Sequence, residues 1–368
     1  MAINSELISI SRYYGSNPGY VIAGGGNTSY KEGDRMWIKA SGTSLADIDE
    51  SGFVCLSRTK LNKVTSTGYS KDPFKREEEV KRDLRAAVTE NKNKRPSVET
   101  SLHNLFSYPF VIHTHPTVVN ALLCSVNAER ETRNLFGNEV MFVEYTDPGY
   151  TLFKRTEKIM SEYLALHGNE PQVVFLQNHG LIVCGENAGD IQTLSDRIIG
   201  TISSRFTKRL PELDYLPPES DSEVLLDKIN DYLSTLELVS VYGNNELTGL
   251  FVQGSTAFIK TARPFTPDNI VYCRSEYLFS GGEAEKVISD IESFKSRYNY
   301  FPMIIGLEKT GLVSAGKNKQ SAARSMEVFQ DMMQISFLSE NFGGQKFLTK
   351  EQIKFIDIWE AENYRRSV

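Results

Sequence analysis

The sequence has few cysteines and histidines and lacks any long apolar run. Its 368 residues include four cysteines and five histidines. The cysteines are far apart and form no C-x-x-C pair, so we expect reduced thiols in the core rather than a disulfide framework. No apolar stretch approaches the roughly 20 residues that span a bilayer. The first residues lack the charged region and apolar core of a signal peptide, which predicts a cytoplasmic protein with no membrane partner.

An excess of positive charge is also missing. The formal net charge is -6, which argues against nucleic acid as a partner. An anionic substrate would therefore need a locally positive pocket. Hydrophobic residues make up 40% and charged residues 24% of the chain, as in ordinary globular proteins. The length is sufficient for two sizeable cores.

Two small-polar turns near the start of the chain are suited to oxyanions. The first is G-G-G-N-T-S at residues 24–29, and the second is A-S-G-T at residues 40–43, after a predicted strand at 36–39. Glycines allow the backbone to approach a ligand closely. Neither turn is a Walker A loop or a G-x-G-x-x-G motif, because the required lysine and spacings are absent. A flexible turn is the alternative interpretation.

The stretch F-V-I-H-T-H-P at residues 110–116 is the strongest signal for a metal. Residues 110–112 predict a buried strand, and side chains two apart in a strand point to the same side. His113 and His115 can therefore direct two imidazoles at one point. Imidazole is a ligand of zinc and its first-row neighbours. Two ordinary polar residues at a strand edge remain the alternative.

His179 is the candidate for a third ligand. It lies in V-V-F-L-Q-N-H-G-L-I-V-C-G, where apolar runs on both sides predict a strand, a tight turn and a strand. A polar side chain between two buried strands needs a partner, and a metal would provide one. Three histidines with an open coordination position are typical of a catalytic metal site.

Glu99 is the candidate for acid–base chemistry. Ser97 is a predicted helix N-cap, and residues 98–108 carry apolar side chains near helical spacing. Glu99 and His103, four residues apart, share a face of this helix. A carboxylate beside a metal can act as a general base. An acid favoured by the helix dipole is the alternative for Glu99, and for His103 we predict a packing role.

The sequence predicts two domains. Residues 211–222 are rich in proline and acidic residues and are the predicted linker between residues 1–210 and residues 223–368. In the second part, residues 258–261 resemble residues 37–40, and residues 303–316 resemble residues 174–185, with Thr310 in place of His179. This suggests a degenerate repeat that has lost the segment with Glu99 and the His-x-His pair. Chance similarity is the alternative.

Together these motifs resemble the class II aldolase/adducin family. Within it, the chain is most similar to the aldolase portion of bifunctional rhamnulose-1-phosphate aldolase/lactaldehyde dehydrogenase proteins. The similarity covers nearly the whole chain, but no dinucleotide fingerprint is present. The matching segments are G-G-G-N-T-S, W-I-K-A-S-G, P-S-V-E-T-S-L-H, H-T-H-P, Y-T-D-P-G, Q-N-H-G, R-P-F-T-P-D-N-I and G-L-V-S-A-G-K.

The resemblance implies a fold and a set of site residues. The fold is α/β, an α/β/α three-layer class II aldolase fold with a mostly antiparallel sheet, here followed by a degenerate second copy. Zn2+, or another divalent first-row metal, is held by three histidines, and Glu99 is the catalytic acid/base. Val98 stands where some family aldolases have a second phosphate-binding serine. The implied residues are His113, His115 and His179 for the metal, Glu99 and Tyr145 for catalysis, and Asn27, Ser41, Gly42 and Ser97 for phosphate.

The resemblance also implies a reaction. A zinc-dependent aldolase of this kind cleaves a ketose 1-phosphate, such as rhamnulose 1-phosphate, to dihydroxyacetone phosphate and an aldehyde. The partner is then a small sugar phosphate, and a homo-oligomer is expected. A family epimerase or decarboxylase would use the same metal site, and an adducin-like binding module would need no metal. Bound metal in the purified chain distinguishes the enzymes from the module.

Overall fold

Two β-sheets organise the chain in the computed structural model, which describes residues 3–359. The first unit comprises residues 3–123, 127–205 and 358–359, and the second comprises residues 124–126 and 206–357. The segment predicted as a linker, residues 211–222, lies within the second unit. Within the described residues, no helix is long and apolar enough to cross a membrane.

The first unit contains eight strands and eight helices, with a short 3-10 turn at Glu50–Gly52. The strands are β1 (Asn27–Glu32), β2 (Arg35–Lys39), β3 (Phe53–Ser57), β4 (Val88–Glu90), β5 (Phe110–Thr114), β6 (Val140–Val143), β7 (Val173–Leu176) and β8 (Gly180–Gly185). The helices are α1 (Ser5–Gly15), α2 (Arg58–Ser66), α3 (Pro73–Ala87), α4 (Thr100–Leu105), α5 (Thr117–Leu123), α6 (Ala128–Phe136), α7 (Tyr150–His167) and α8 (Ala188–Ser203).

The second unit contains four strands and seven helices, with 3-10 turns at Ile259–Thr261 and Glu340–Phe342. The strands are β9 (Val239–Gly243), β10 (Leu278–Ser280), β11 (Ile304–Leu307) and β12 (Gly311–Gly316). The helices are α9 (Ser220–Thr235), α10 (Glu246–Phe251), α11 (Ser255–Phe258), α12 (Pro267–Cys273), α13 (Ala284–Tyr298), α14 (Lys319–Ser339) and α15 (Lys350–Ile358).

The first sheet is mixed, where the family resemblance implied a mostly antiparallel one. Its strand order is β4-β3-β2-β1-β5-β8-β7-β6. The pair β6 and β7 at one edge is parallel, and the other neighbouring pairs are antiparallel. A parallel connection needs a crossover of a dozen or more residues, and α7 provides it between β6 and β7.

Helices cover both faces of the first sheet. Consecutive side chains of β1 point to opposite faces. The Thr28 hydroxyl bonds Ser11 of α1 at 2.7 Å, whereas the next residue, Ser29, bonds His103 of α4 at 2.8 Å. The sheet therefore lies between two helical layers. All four cysteines (Cys55, Cys124, Cys184 and Cys273) are buried free thiols, as expected from the apolar segments that contain them.

The second sheet repeats part of the strand pattern of the first. Its order is β10-β11-β12-β9. The pair β10 and β11 is parallel, and β12 pairs antiparallel with both β11 and β9. The series β6-β7-β8-β5 has the same succession of parallel and antiparallel pairs. Each sheet thus contains an antiparallel hairpin. The first strand of the hairpin also pairs in parallel with an edge strand, and its second strand also pairs antiparallel with another strand.

Several local predictions need correction. Residues 75–90 have Val80, Leu84 and Val88 at helical spacing, which predicts a helix over this range, but the helix ends at Ala87 because residues 88–90 pair with β3 as β4. The helix predicted from residue 98 to 108 is shorter and runs from Thr100 to Leu105. Residues 258–261 are helical turns, so their similarity to the strand at 37–40 was misleading. The sequence also predicts a final helix over residues 350–364; this helix ends at Ile358, and residues 360–364 lie outside the described chain.

Candidate metal centre

Three histidines converge where β5 and β8 meet. His113 is a residue of β5, His115 follows that strand, and His179 immediately precedes β8. The pairing of β5 with β8 brings these segments together, with Thr114 opposite Leu181. One ligand nitrogen from each ring lies within 4.8 Å of the others. These three residues can therefore hold one metal ion.

The ring orientations suit metal binding. Nδ1 of His113 lies 3.0 Å from the carbonyl oxygen of Leu181. A carbonyl only accepts, so Nδ1 carries the proton and Nε2 has the lone pair that can bind a metal. That Nε2 lies 2.9 Å from Nε2 of His115. Asn120 donates to the backbone carbonyl of His179 at 3.3 Å and so supports the turn that carries the third ring.

Gly180 makes room for the rings. A Cβ atom at this position would lie 2.5 Å from the Thr114 carbonyl oxygen, 2.7 Å from Cδ2 of His115 and 3.1 Å from Cε1 of His113. Such distances are too short for a side chain to fit without displacing its neighbours. The glycine after His179 is therefore a requirement of the close packing between the hairpin and the His-x-His segment.

Glu99 lies beside two of the three histidines. Its Oε2 is 3.5 Å from Nε2 of His113, and its Oε1 is 3.4 Å from Nε2 of His179. The residue is the N-cap position of α4 rather than part of its first turn, and its side chain caps no backbone amide. Burial raises the pKa of Glu99, but His113, His179 and the Asn27 amide outweigh burial and lower it to about 2. The carboxylate is therefore ionised near neutral pH.

This arrangement fits a divalent cation. Two imidazole nitrogens face each other at 2.9 Å, and both carboxylate oxygens of Glu99 are directed at ring nitrogens. The Glu99 Oε1 atom is buried and has no hydrogen-bond donor among the residues that the structure describes. Buried lone pairs that face one another repel unless a cation or a proton lies between them. A set of three imidazoles and one carboxylate suits zinc and its first-row neighbours.

The predicted phosphate residues form two groups in the structure. Ser41, Gly42 and Ser97 lie on two loops that are joined where Ala40 pairs with Pro96. Gly42 has φ of 81°, a conformation that favours glycine. Ser41 and Ser97 both line a cavity that is bounded on another side by α3. The Asn27 side chain instead donates to Glu99 Oε2 at 2.5 Å.

The predicted catalytic tyrosine has other partners. The hydroxyl of Tyr145 donates to the carboxylate of Asp147 at 3.3 Å, and its backbone amide donates to Gln177. Burial, and then the neighbouring Asp147 carboxylate, raise the pKa of the Tyr145 hydroxyl far above its ordinary value. The hydroxyl therefore stays protonated, and the catalytic role of Tyr145 stays a prediction.

Sequence reasoning missed two residues: Lys39, and Ser29, whose hydroxyl is the hydrogen-bond partner of His103. The Lys39 ammonium is buried and donates to the Gly24 carbonyl at 3.0 Å, which places a positive charge at the first glycine-rich turn. The only signal was its position between an apolar strand and A-S-G. His103 has the predicted packing role: it is fully buried, and burial lowers its pKa to about 3, so the ring is neutral.

A family model described as the class II aldolase and adducin N-terminal domain matches residues 5–195. This segment contains every site residue discussed above. It also corresponds closely to the first unit, which contains the first sheet.

Two further comparisons give more distant similarities. An "Uncharacterized oxidoreductase YuxG" from Bacillus subtilis is 24% identical over 98% of this chain, and the chain spans 58% of the length of that relative. The N-terminal class II aldolase domain of a Thermoplasma acidophilum protein is 26% identical over 54% of this chain and 91% of that one, with a TM-score of 0.46. An l-fuculose-1-phosphate aldolase from Thermus thermophilus is 17% identical over 55% and 94%, with a TM-score of 0.35.

Proposed function

Since the chain belongs to the class II aldolase and adducin N-terminal domain family, we propose that it is a zinc-dependent aldolase acting on a ketose 1-phosphate. The products would be dihydroxyacetone phosphate and an aldehyde, with rhamnulose 1-phosphate as the model substrate. One observation carries the proposal: the His113, His115 and His179 rings surround one point, and the Glu99 carboxylate lies against two of them.

The three histidines would hold the metal. A bound divalent ion supplies a Lewis acid that polarises the substrate carbonyl and its neighbouring hydroxyl. The Leu181 carbonyl keeps the His113 ring in the tautomer that binds through Nε2. The hydrogen bond from Asn120 to the His179 carbonyl steadies the turn that carries the third ligand. Both contacts are hydrogen bonds within this chain, so the fold itself orients two of the three ligands.

Glu99 would move the proton at carbon. In the condensation direction its ionised carboxylate removes a proton from the hydroxymethylene carbon of dihydroxyacetone phosphate. In the cleavage direction the proton that the substrate hydroxyl loses as the aldehyde forms would pass to the Glu99 carboxylate, which then delivers it to that carbon after the carbon–carbon bond has broken, so no proton is gained or lost overall. Its low pKa ensures the charged form, and its burial excludes water that would compete for the proton.

Tyr145 would act on the other fragment. In cleavage, the hydroxyl group of the substrate loses its proton as the aldehyde forms, and in condensation the aldehyde oxygen gains one. A tyrosine that stays protonated near neutral pH can donate in the second case. The raised pKa of Tyr145 and its contact with Asp147 support this role.

The two joined loops would bind phosphate. The backbone amides at Gly42 and Ser97, and the hydroxyls of Ser41 and Ser97, are donors suited to a phosphate, whereas the Ser41 amide already donates to the Arg95 carbonyl at 2.9 Å. Val98 removes one hydroxyl that some family aldolases have, so we expect weaker phosphate binding than in those relatives. The buried ammonium of Lys39 supplies a positive charge at the neighbouring glycine-rich turn.

A retro-aldol assay tests the proposal directly. The purified chain is assayed against a panel of ketose 1-phosphates, and release of dihydroxyacetone phosphate is measured. We expect cleavage of at least one member, loss of activity with a chelator, and recovery when Zn2+ is restored. Cleavage that persists in the metal-stripped chain would contradict the mechanism, and metal-loaded protein that cleaves no member would contradict the substrate class.

We further propose that the second unit is a degenerate copy of the metal-binding part of the first. The bounds of the hairpin support this: β7 and β8 reappear as β11 and β12, with every boundary shifted by the same 131 residues. The N-cap of the following helix, Asn187, has Asn318 as its counterpart at the same shift. The turn residues Asn178 and Lys309 both have positive φ, 53° and 58°.

The strand register then identifies the counterparts of the metal ligands. Thr114 lies opposite Leu181, and Gly243 lies opposite Leu312. By this register the positions of His113, His115 and His179 are held by Tyr242, Asn244 and Thr310. The Tyr242 hydroxyl donates to the Thr310 carbonyl at 2.8 Å, so its side chain spans the turn. In this proposal, β9 corresponds to the strand that we expected to be lost, without its histidines.

Restoring the ligands tests this proposal. In a His113→Ala background, the triple substitution Tyr242→His, Asn244→His and Thr310→His should create a metal site in the second unit. Equilibrium dialysis with Zn2+ should show binding in this variant and none in the background. The same triple substitution to alanine is the matched control. A folded triple-histidine variant that binds no more Zn2+ than this control would refute the equivalence.

A further inference from the structure

A cavity in the second unit combines two lysines and a glutamate with apolar side chains. Its volume is about 570 Å³, and it lies beside α10, α11 and the end of α14. Cavities of about 300–1,000 Å³ are the usual size of small-molecule sites. The charged and the large apolar residues that line it are Lys208, Lys260, Glu340, Leu250, Phe251 and Phe337.

The two lysines converge on one carboxylate. Lys208 donates to Oε2 of Glu340, and Lys260 donates to Oε1 at 2.7 Å. Burial raises the pKa of Glu340, but the hydrogen bonds from Lys208 and Lys260 outweigh it and lower the pKa below its ordinary value. The carboxylate is therefore ionised near neutral pH. It cancels the charge of one lysine, and one positive charge remains at the cavity.

Hydrogen bonds from α14 and the turn after it hold the backbone of both lysines. The side chain of Asn341 accepts from the Lys208 amide at 2.9 Å and donates to the Lys208 carbonyl at 2.9 Å. Ser336 Oγ donates to the Lys260 carbonyl at 2.7 Å. The Lys208 ammonium also lies 3.9 Å from the centroid of the Phe337 ring. Both cations are thus pre-organised at the cavity, which reduces the entropic cost of binding.

The ammonium groups have donors to offer a ligand. A lysine ammonium has three N–H donors, and Glu340 accepts from one of them on each lysine. The side chains of Lys208, Lys260 and Glu340 are 38%, 47% and 28% exposed. Ion pairs at such partly exposed positions contribute little to stability. A second carboxylate can therefore contact both lysines without a large cost in lost interactions.

We infer that this cavity binds a small organic monoanion, a carboxylate with an apolar chain, whose charge lies against Lys208 and Lys260. One negative charge matches the one positive charge that remains, whereas the nearly doubly charged phosphate of a phosphate ester would exceed it. The apolar chain would cover Leu250, which is 51% exposed, and would lie along the Phe251 and Phe337 side of the cavity. The inference does not depend on the proposed aldolase activity, because none of these residues belongs to the metal centre.

Hexanoate is the probe, and a ligand-observed NMR titration of the full chain is the measurement. The metal is first removed by dialysis, because a carboxylate is also a ligand for zinc. We expect a Kd on the order of 1 mM, as for a ligand of this size. Acetate keeps the charge without the chain, and hexanamide keeps the chain without the charge. Each should bind at least about tenfold more weakly than hexanoate.

Two substitutions should change the affinity in opposite directions. Lys260→Met removes a cation and should weaken hexanoate binding at least about fivefold, whereas Glu340→Gln removes the competing carboxylate and should tighten it about fivefold. Lys228→Met and Glu285→Gln are the matched controls. They change the charge of the chain by the same amounts, at an exposed ion pair of the second unit that does not line the cavity. Both controls should bind hexanoate as the wild type does.

The opposite signs separate recognition from folding. A variant that merely unfolds loses binding, so damage to the fold cannot produce the gain expected of Glu340→Gln. Three results would each overturn the inference: a wild-type chain that does not bind hexanoate, equal binding of hexanoate and hexanamide, or a Glu340→Gln variant that binds no more tightly than Glu285→Gln. An equal loss of affinity in Lys260→Met and Lys228→Met would place the bound carboxylate elsewhere and would refute the site.

Discussion

The three metal-binding candidates differ in how deeply they are buried. His113 is fully buried, and His179 is 8% exposed. His115 is half-buried, so its removal should disturb the core least. It is therefore the residue best suited to a test of metal binding that is separate from a test of folding.

His115→Ala should lose most of its metal. Two imidazoles and one carboxylate hold a divalent ion more weakly than three imidazoles, so we expect the zinc affinity to fall by at least about 100-fold. Competition with a chromophoric chelator measures this. His167→Ala, a change at the last residue of α7, is the control and should bind zinc as the wild type does.

Glu99→Gln should separate metal binding from catalysis. The amide has the shape of the carboxylate but cannot accept a proton from carbon, so kcat should fall by about 10²- to 10⁴-fold. Zinc content should stay close to that of the wild type, because the histidines are intact. Exchange of the dihydroxyacetone phosphate methylene proton with deuterated water, followed by NMR, reports this step alone. Exchange at the wild-type rate would exclude Glu99 as the base.

Glu77 should make stability depend on pH. Its buried carboxylate accepts from the Tyr150 amide, and burial raises its pKa from an ordinary 4.5 to about 7 despite that hydrogen bond and Arg76. Because the folded pKa is raised, its stabilising contribution is full below about pH 4.5 and is lost as the pH rises through 7.

Glu77→Gln should remove this dependence. We expect the loss of unfolding free energy between pH 5 and pH 8 to be smaller than in the wild type by roughly 3 kcal/mol. Urea denaturation at the two pH values measures the change. Glu78→Gln is the neighbouring control, since that side chain is exposed and pairs with Lys81 at the surface. Equal slopes in Glu77→Gln and the wild type would contradict the assignment.

The residues of the site could be chosen from the sequence, but their contacts could not. His113, His115 and His179 each lie at the end of an apolar run, so their strand positions were predictable. The partner of Asn27 depends on the pairing of β1 with β5, which no local pattern encodes. The G-G-G-N-T-S motif predicted phosphate binding for Asn27 and gave no sign that its side chain donates to Glu99, and the phosphate role stays a prediction.

At the scale of elements, the hairpin β7–β8 determines the site. It positions His179, pairs with β5 and leaves no space for a side chain at residue 180. Its strands were predictable because both are short apolar runs on either side of a turn. The ends of the helices were less predictable: α3 is capped by Asp72 at its start but ends where residues 88–90 pair with β3, and α4 begins without a side-chain cap.

Gly180→Ala should weaken metal binding through packing. The added Cβ would contact the Thr114 carbonyl and the His115 ring, so these must move apart at a cost of about 1–3 kcal/mol in stability. We expect zinc affinity to fall by at least about tenfold through the displaced ring. Gly200→Ala is the control, because a Cβ there meets no atom within 4 Å. Isothermal titration with Zn2+ compares the two variants.

The second hairpin shows where sequence similarity was informative and where it was not. The similarity between residues 174–185 and 303–316 corresponds to two hairpins with matching bounds. The four-residue similarity between residues 258–261 and 37–40 did not correspond to matching structures, because so short a segment takes its structure from its surroundings. In the proposed degenerate copy, the counterpart of H-T-H is Y-G-N at residues 242–244, and no residue is shared. Only the hydrogen-bond register connects them.

At the scale of the whole molecule, metal should protect one of the two sheets. We expect Zn2+ to slow amide hydrogen exchange in peptides that cover residues 110–116 and 176–185, because binding stabilises the elements that hold the ligands. The peptides that cover residues 239–245 and 307–316 should exchange at the same rate with and without zinc. Mass spectrometry resolves these segments. Zinc-dependent protection of the second pair would contradict the proposed loss of that site.

The four cysteines, all interior and unpaired, have a practical consequence. Burial raises the pKa of the thiols of Cys124, Cys184 and Cys273, so their reactive thiolate forms are suppressed as well as shielded. A maleimide dye should therefore leave the folded protein unlabelled. Any single cysteine introduced at the surface would therefore become a unique attachment point for one fluorophore, without removal of the native thiols.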